Sequence, residues 1–201
     1  MFAVGCHARP PTVNVHVNDD WRLGMLGLFR RKTHERTGYA LYTAAVAAAR
    51  EPWYYTALAV PDTLDGRFDL VGAHVFLLID RLRAAPEPGP AVAQAVFDAM
   101  FNDMDFNLRE MGVGDMTVGK RVKQMWEAFH GRAMAYETAL KSDDDAALVS
   151  SLARNVWRGE APSGAAESLA VLMRRHQAVL AETPIATFLD GTLRFPTAVP
   201  A

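Results

Sequence analysis

Apolar residues along this chain recur mostly every three or four positions, the spacing of one helix face, and alternating β-branched runs are few. Ala, Leu, Met, Arg and Glu dominate, which are strong helix formers. The pattern predicts a first helix over Thr33–Glu51, with Tyr39, Tyr42 and Val46 on one side, ended or restarted by Pro52. Trp53-Tyr54-Tyr55 begins a short second helix that stops near Pro61. Phe68–Arg83 is the next, with Val71, Val75, Leu78 and Leu82 at helical spacing. Pro86, Pro88, Gly89 and Pro90 mark a loop.

Ala91–Met111 follows, its apolar stripe running through Val92, Val96, Met100 and Met104. Gly112-Val113-Gly114 is placed to cap it, since glycine accepts the left-handed C-cap conformation. Thr117–Leu140 carries Val118, Val122, Met125, Phe129, Ala133, Tyr136 and Leu140 on one face. Ser142 is read as the N-cap of a helix through Trp157, with Asp143, Asp144 and Asp145 at its positive end. A loop at Gly159–Gly164 precedes a last helix over Ala165–Ala181, and Thr192–Phe195 is read as a brief extended piece. The expected fold is all-α: a single compact bundle of about six or seven helices.

Composition narrows the function classes. A net charge of −2 argues against a dedicated nucleic-acid binder, and no sequence-specific nucleic-acid partner is expected. Cys6 is the only cysteine, so no internal disulfide can form and a reducing compartment is expected. The longest apolar run, Leu70–Ile79, is bracketed by Asp69 and Asp80 and is far short of the roughly 20 residues that span a bilayer.

Residues 1–24 break the pattern. They mix Pro10, Pro11, Asn14, Asn18, Asp19 and Asp20 without helical periodicity. Ala3-Val4-Gly5-Cys6 loosely imitates a lipoprotein box but lacks the apolar run of about 7–15 residues that a signal peptide requires. The change of character at Met25 suggests an N-terminal extension, disordered or mis-assigned, before a helical domain over residues 25–201.

No catalytic constellation emerges. Gly114 to Lys120 matches the start of a phosphate-binding loop, but Arg121 stands where Ser or Thr must hold magnesium, and a helix rather than a strand precedes it. Asp103 and Asp105, two apart, diverge on a helix and cannot easily chelate one ion. The acidic triplet 143–145 lacks the second half of the prenyl-transferase motif. The six histidines show no metal spacing, and His74 in its apolar helix reads as a hydrogen-bonded core residue. No cofactor or metal is expected.

Two features remain as candidate binding elements. Asp103, Asp105 and Glu110 precede the glycine turn, and Lys120, Arg121 and Lys123 follow it. This charge couple is either a clamp between two helices, through Arg109, Lys120 or Arg121, or a binding edge. The aromatic group Trp53, Tyr54 and Tyr55, with Trp126, is the second. Three consecutive aromatics cannot all point inward from one helix, so at least one should be exposed or cover a groove.

The stretch FDAMFNDMDFNLREMGVGDMTVGKRVKQMWEAFHGR, residues 97–132, resembles the central pattern of the ubiquinol–cytochrome c chaperone family, the assembly factors of respiratory complex III. Trp53-Tyr54, Phe68–Arg83 and Leu152-Ala153-Arg154-Asn155 fit the same family, so the resemblance spans about Met25 to Pro196. His130 departs from it, standing where an aromatic such as Tyr is expected. The resemblance implies an all-α fold without enzymatic activity. It implies an ATP-independent chaperone that receives newly made cytochrome b and promotes its assembly into the cytochrome bc complex. A ribosome or a second assembly factor is an implied partner, as in mitochondrial relatives. The N-terminus is neither Arg-rich nor amphipathic, so a bacterial, cytoplasmic protein is expected, with peripheral contact at the inner membrane as a further option. The basic group could meet ribosomal RNA, anionic lipid or acidic client loops.

Two rivals stand beside this reading. One is a helical enzyme or small-ligand carrier with Asp103 and Asp105 lining an internal pocket. The other is a structural adaptor that dimerises through its aromatic face.

Overall fold

The computed structural model describes the backbone of residues 20–142 and 144–198, and side chains from residue 32 onward within those ranges. Eight helices and no strand occur among the described residues: α1 (Asp20–Ala49), α2 (Pro52–Thr56), α3 (Leu64–Arg83), α4 (Gly89–Glu110), α5 (Asp115–Leu140), α6 (Ala146–Val156), α7 (Ala165–Glu182) and α8 (Ile185–Leu189). The seven helices expected from periodicity all form, and the one-turn α8 adds to them.

α3 is the centre of the bundle. Every residue from Phe68 to Leu78 is buried, so the helix is enclosed on all sides rather than along one stripe. Thr63 caps it, its hydroxyl accepting from the Gly66 amide at 3.2 Å. α1 packs along α4 and α3. Gly38 allows the α1–α4 approach, because a Cβ there would lie 2.6 Å from the Ala95 Cβ. Arginines close two helix ends. Arg174 of α7 donates to the carbonyls of Ser142, Ala139 and Leu140 beyond and within the end of α5. Arg81 of α3 donates to the Leu180 carbonyl of α7 at 3.0 Å.

One cluster locks three segments. Asp69 of α3 is fully buried and meets Arg132 of α5 at 2.6 Å and Arg158, just after α6, at 2.8 Å. Burial raises its carboxyl to about 6, against the pull of the two arginines.

Several expectations are corrected. α1 begins at Asp20, not Thr33, so residues 20–24 are helical, while the rest of the 1–24 extension lies outside the described residues. Ser142 is not the N-cap of α6. The Asp144 carboxylate accepts from the Ala146 amide at 2.9 Å, and Asp145 pairs with Arg174. The acidic triplet's Asp143 lies outside the described residues. Thr192–Phe195 forms no strand; it crosses the bundle irregularly, with Phe195 against the rings of His74 (5.0 Å) and His176 (5.6 Å).

The two histidines give the fold an acid sensitivity. His74 Nδ1 donates to the Leu70 carbonyl at 2.8 Å, leaving Nε2 to accept from the Tyr54 hydroxyl at 3.1 Å. Burial pulls His74 down to about 4. Burial, then the neighbouring His74 and Arg175, pulls His176 down to about 3. Above the ordinary value of 6.5 neither folded nor unfolded chain protonates these rings. Below it the unfolded chain binds protons that the folded chain refuses, so stability falls with pH. Urea midpoints should therefore drop between pH 6.5 and pH 4, and the drop should be shallower in His176→Leu. The opposite contribution of Asp69 is common to both proteins and cancels in the comparison. Parallel pH profiles would refute the assignment.

Candidate functional site

A solvent-open groove of about 900 Å³ lies between the C-terminal half of α3, the start of α4 and the second half of α5. Such a volume is that of a ligand cleft, and its open, three-helix form suits a helix laid into it. Phe76 and Phe129 are buried in the floor, and Ile79 and Phe97 are half-buried in the walls. Trp126 and Met134 stand on the lip at 44% and 70% exposure.

The aromatic wall is continuous. Phe97 meets Phe101 at 4.7 Å, Phe129 at 5.8 Å and His130 at 5.7 Å between ring centroids. His130 lies against Trp126 at 3.9 Å, and its Nδ1 donates to the Trp126 carbonyl at 3.0 Å. This contact holds the Trp126 ring over the groove. His130 therefore adds a ring to the aromatic wall.

The far end of the groove is charged. Asp80, Arg83, Glu137 and Lys141 line it, with Lys141 bonded to Glu137 at 2.6 Å. Burial, and then the charge of Glu137, raises the Asp80 carboxyl above the ordinary carboxylate range. An apolar trough ending in mixed charge fits an apolar helix with a polar terminus better than it fits a small reactive molecule.

Trp126 is the one residue among the ten sequence candidates that lines this groove. Tyr54 is buried on His74, and its hydroxyl is pushed upward by burial. Trp53 and Tyr55 are half-buried, and the Tyr55 hydroxyl donates to the Ala49 carbonyl at 3.0 Å. The three consecutive aromatics are thus accommodated by packing around α2.

Asp103 accepts a 2.6 Å hydrogen bond from Tyr42 of α1, and burial with this bond raises the tyrosine. Asp105 pairs with Arg109 at 2.6 Å, and Arg109 reaches Asp115 across the glycine turn at 2.5 Å. That is a clamp, though built with Asp115 rather than with Lys120 or Arg121. Asp103 and Asp105 are thus engaged by Tyr42 and Arg109 and line none of four cavities around α3, α5, α6 and α7, which leaves the rival's internal acidic pocket without support among the described residues. Glu110, Lys120, Arg121 and Lys123 are exposed around the α4–α5 turn, and Lys123 approaches Glu127 at 3.8 Å.

Sequence reasoning missed Asp80, Phe97, His130, Met134 and Glu137. One signal was available: Trp126, His130, Ala133 and Glu137 form a second stripe on α5, beside the core stripe that ends at Tyr136 and Leu140.

The family model described as "Ubiquinol-cytochrome C chaperone" matches residues 56–195. The ubiquinol-cytochrome-c reductase complex assembly factor 1 of Xenopus laevis is 24% identical over 118 residues, covering 59% of this chain and 56% of the relative. Its counterparts in Mus musculus and Homo sapiens are also 24% identical, with 38% of each covered. The chain thus spans roughly half or less of the length of these curated relatives. The crystal structure of the Cbp3 homolog from Brucella abortus superposes with a TM-score of 0.75 at 34% identity, covering 87% of this chain and 97% of that one. Family model, sequence relatives and solved fold converge: the chain belongs to the ubiquinol–cytochrome c chaperone family.

Proposed function

We propose that this protein is an ATP-independent assembly chaperone for the cytochrome bc complex, and that its client is newly made cytochrome b. The groove between α3, α4 and α5 carries the reading. It has an aromatic and apolar wall around Phe97, Trp126 and Phe129, is charged at one end and is open, which suits a membrane protein's helix held before insertion. Among the described residues no group of His, Cys, Asp or Glu is arranged to hold a metal ion. Release needs no nucleotide if the bilayer competes for the same apolar surface. A ribosome or a second assembly factor would deliver the client to the groove. The chaperone would act at the cytoplasmic face of the inner membrane, and no helix among the described residues is long and apolar enough to cross one.

Crosslinking the tagged protein in its native cells, with mass spectrometry of the captured chains, tests the proposal. Cytochrome b should be enriched, and a deletion strain should contain less complex III while unrelated enzymes stay at normal levels. Normal complex III in the deletion strain would refute it.

A further inference from the structure

Three of the most exposed large apolar side chains flank the α4–α5 turn. Phe106 lies one turn before the end of α4 at 60% exposure, Met111 occupies the turn at 56%, and Met116 opens α5 at 95%. None belongs to the groove. Gly112, at φ 78°, makes the turn that projects them, and Val118 is the one residue buried between Asp115 and Gln124. The α4–α5 end therefore stands clear of the bundle with an apolar cap.

Behind this cap lies positive charge. Met116, Lys120 and Lys123 share one stripe of α5, four and seven residues apart. A rise of about 1.5 Å per residue sets the two lysines about 6 and 10 Å behind the methionine. Lys120 and Arg121 are exposed and make no ion pair among the described residues, while Arg109 is engaged by Asp105 and Asp115. Glu110 and, 3.8 Å from Lys123, Glu127 are the remaining exposed carboxylates near the tip.

We propose that the α4–α5 tip docks on an anionic lipid surface. Met116, Met111 and Phe106 enter the headgroup–acyl boundary, and Lys120, Arg121 and Lys123 stay at the depth of the phosphates. The spacing matches this layering. Nucleic acid would use the cations but would leave the three apolar side chains in water. A second copy is a poor occupant, because three side chains offer far less than the roughly 800 Å² per partner of a stable interface. The inference is independent of the groove and of the client's identity.

The test is co-sedimentation of the full chain with vesicles of phosphatidylcholine alone and of phosphatidylcholine with phosphatidylglycerol. Wild type should bind the anionic vesicles, release them as salt rises, and ignore the neutral ones. Phe106→Ser with Met116→Ser should lower partition about tenfold. Lys120→Gln with Arg121→Gln should lower it about fivefold for each cation removed. These sites are exposed, so thermal melts of the variants should coincide with wild type. No binding by wild type, or wild-type binding by the serine variant, overturns the proposal. So does intact vesicle binding in variants that instead lose ribosomes or self-association.

Discussion

Asp69→Ala should lower the stability of this protein by about 3–5 kcal/mol, among the largest effects expected of one substitution here. The carboxylate is fully buried, and it neutralises Arg132, whose side chain is 19% exposed. Removing it leaves a guanidinium enclosed next to the Phe68 ring, 5.6 Å from its centroid, with no carboxylate to offset the lost hydration. Arg158, half exposed, can turn back to water and contributes less. The paired replacement Asp69→Leu with Arg132→Met should recover most of the loss, since it removes both charges and keeps apolar volume. Urea denaturation near neutral pH measures both. A loss below about 1 kcal/mol in Asp69→Ala would show that the cluster is not a structural lock.

Trp126→Ala combined with Met134→Ser should reduce client capture at least tenfold and leave the fold intact. Truncating an aromatic anchor at the centre of an interface commonly costs about 2 kcal/mol, roughly thirtyfold in affinity, and an anchor on the lip is expected to give at least tenfold. Both side chains stand on the lip of the groove, 44% and 70% exposed, so the core loses little. The measurement is crosslinking yield to cytochrome b and the level of complex III when the variant replaces the native gene. His130→Tyr is the useful companion, because it keeps a ring against Trp126 and should preserve function. Wild-type complex III levels with a stably folded double variant would remove the groove from the mechanism. The tip substitutions Phe106→Ser and Met116→Ser should leave crosslinking in detergent unchanged, which separates groove failure from membrane failure.

The helices were legible because an amphipathic helix writes its buried face at a fixed interval. Val92, Val96, Met100 and Met104 on α4 are buried as their spacing requires. The glycine turn was legible for a similar local reason, with Gly112 in the left-handed conformation that glycine tolerates. The candidate site was much less so. At least one of Trp53, Tyr54 and Tyr55 is expected at the surface from sequence, yet His74, 20 residues on from Tyr54, gives its hydroxyl a buried partner, and the other two are half-buried. Asp103 looks like a ligand or a clamp to a basic residue, yet its partner is the hydroxyl of Tyr42, 61 residues earlier. Such pairings depend on how helices cross, which periodicity does not record.

The class of fold, the helix order, the turn between α4 and α5, and the family resemblance carried by residues 97–132 are all written in the order of residues along the chain. These follow from local propensity, from the 3.6-residue period and from a motif read along the chain. The tertiary structure alone decided that α3 is enclosed on every side, that Asp69 joins three segments, and that the open groove lies on α5 around Trp126 and His130. The physical reason is that a helix face is apolar whether it is covered by its own chain or left for a partner. Only the packing of α3, α4 and α5 shows which apolar faces are already covered.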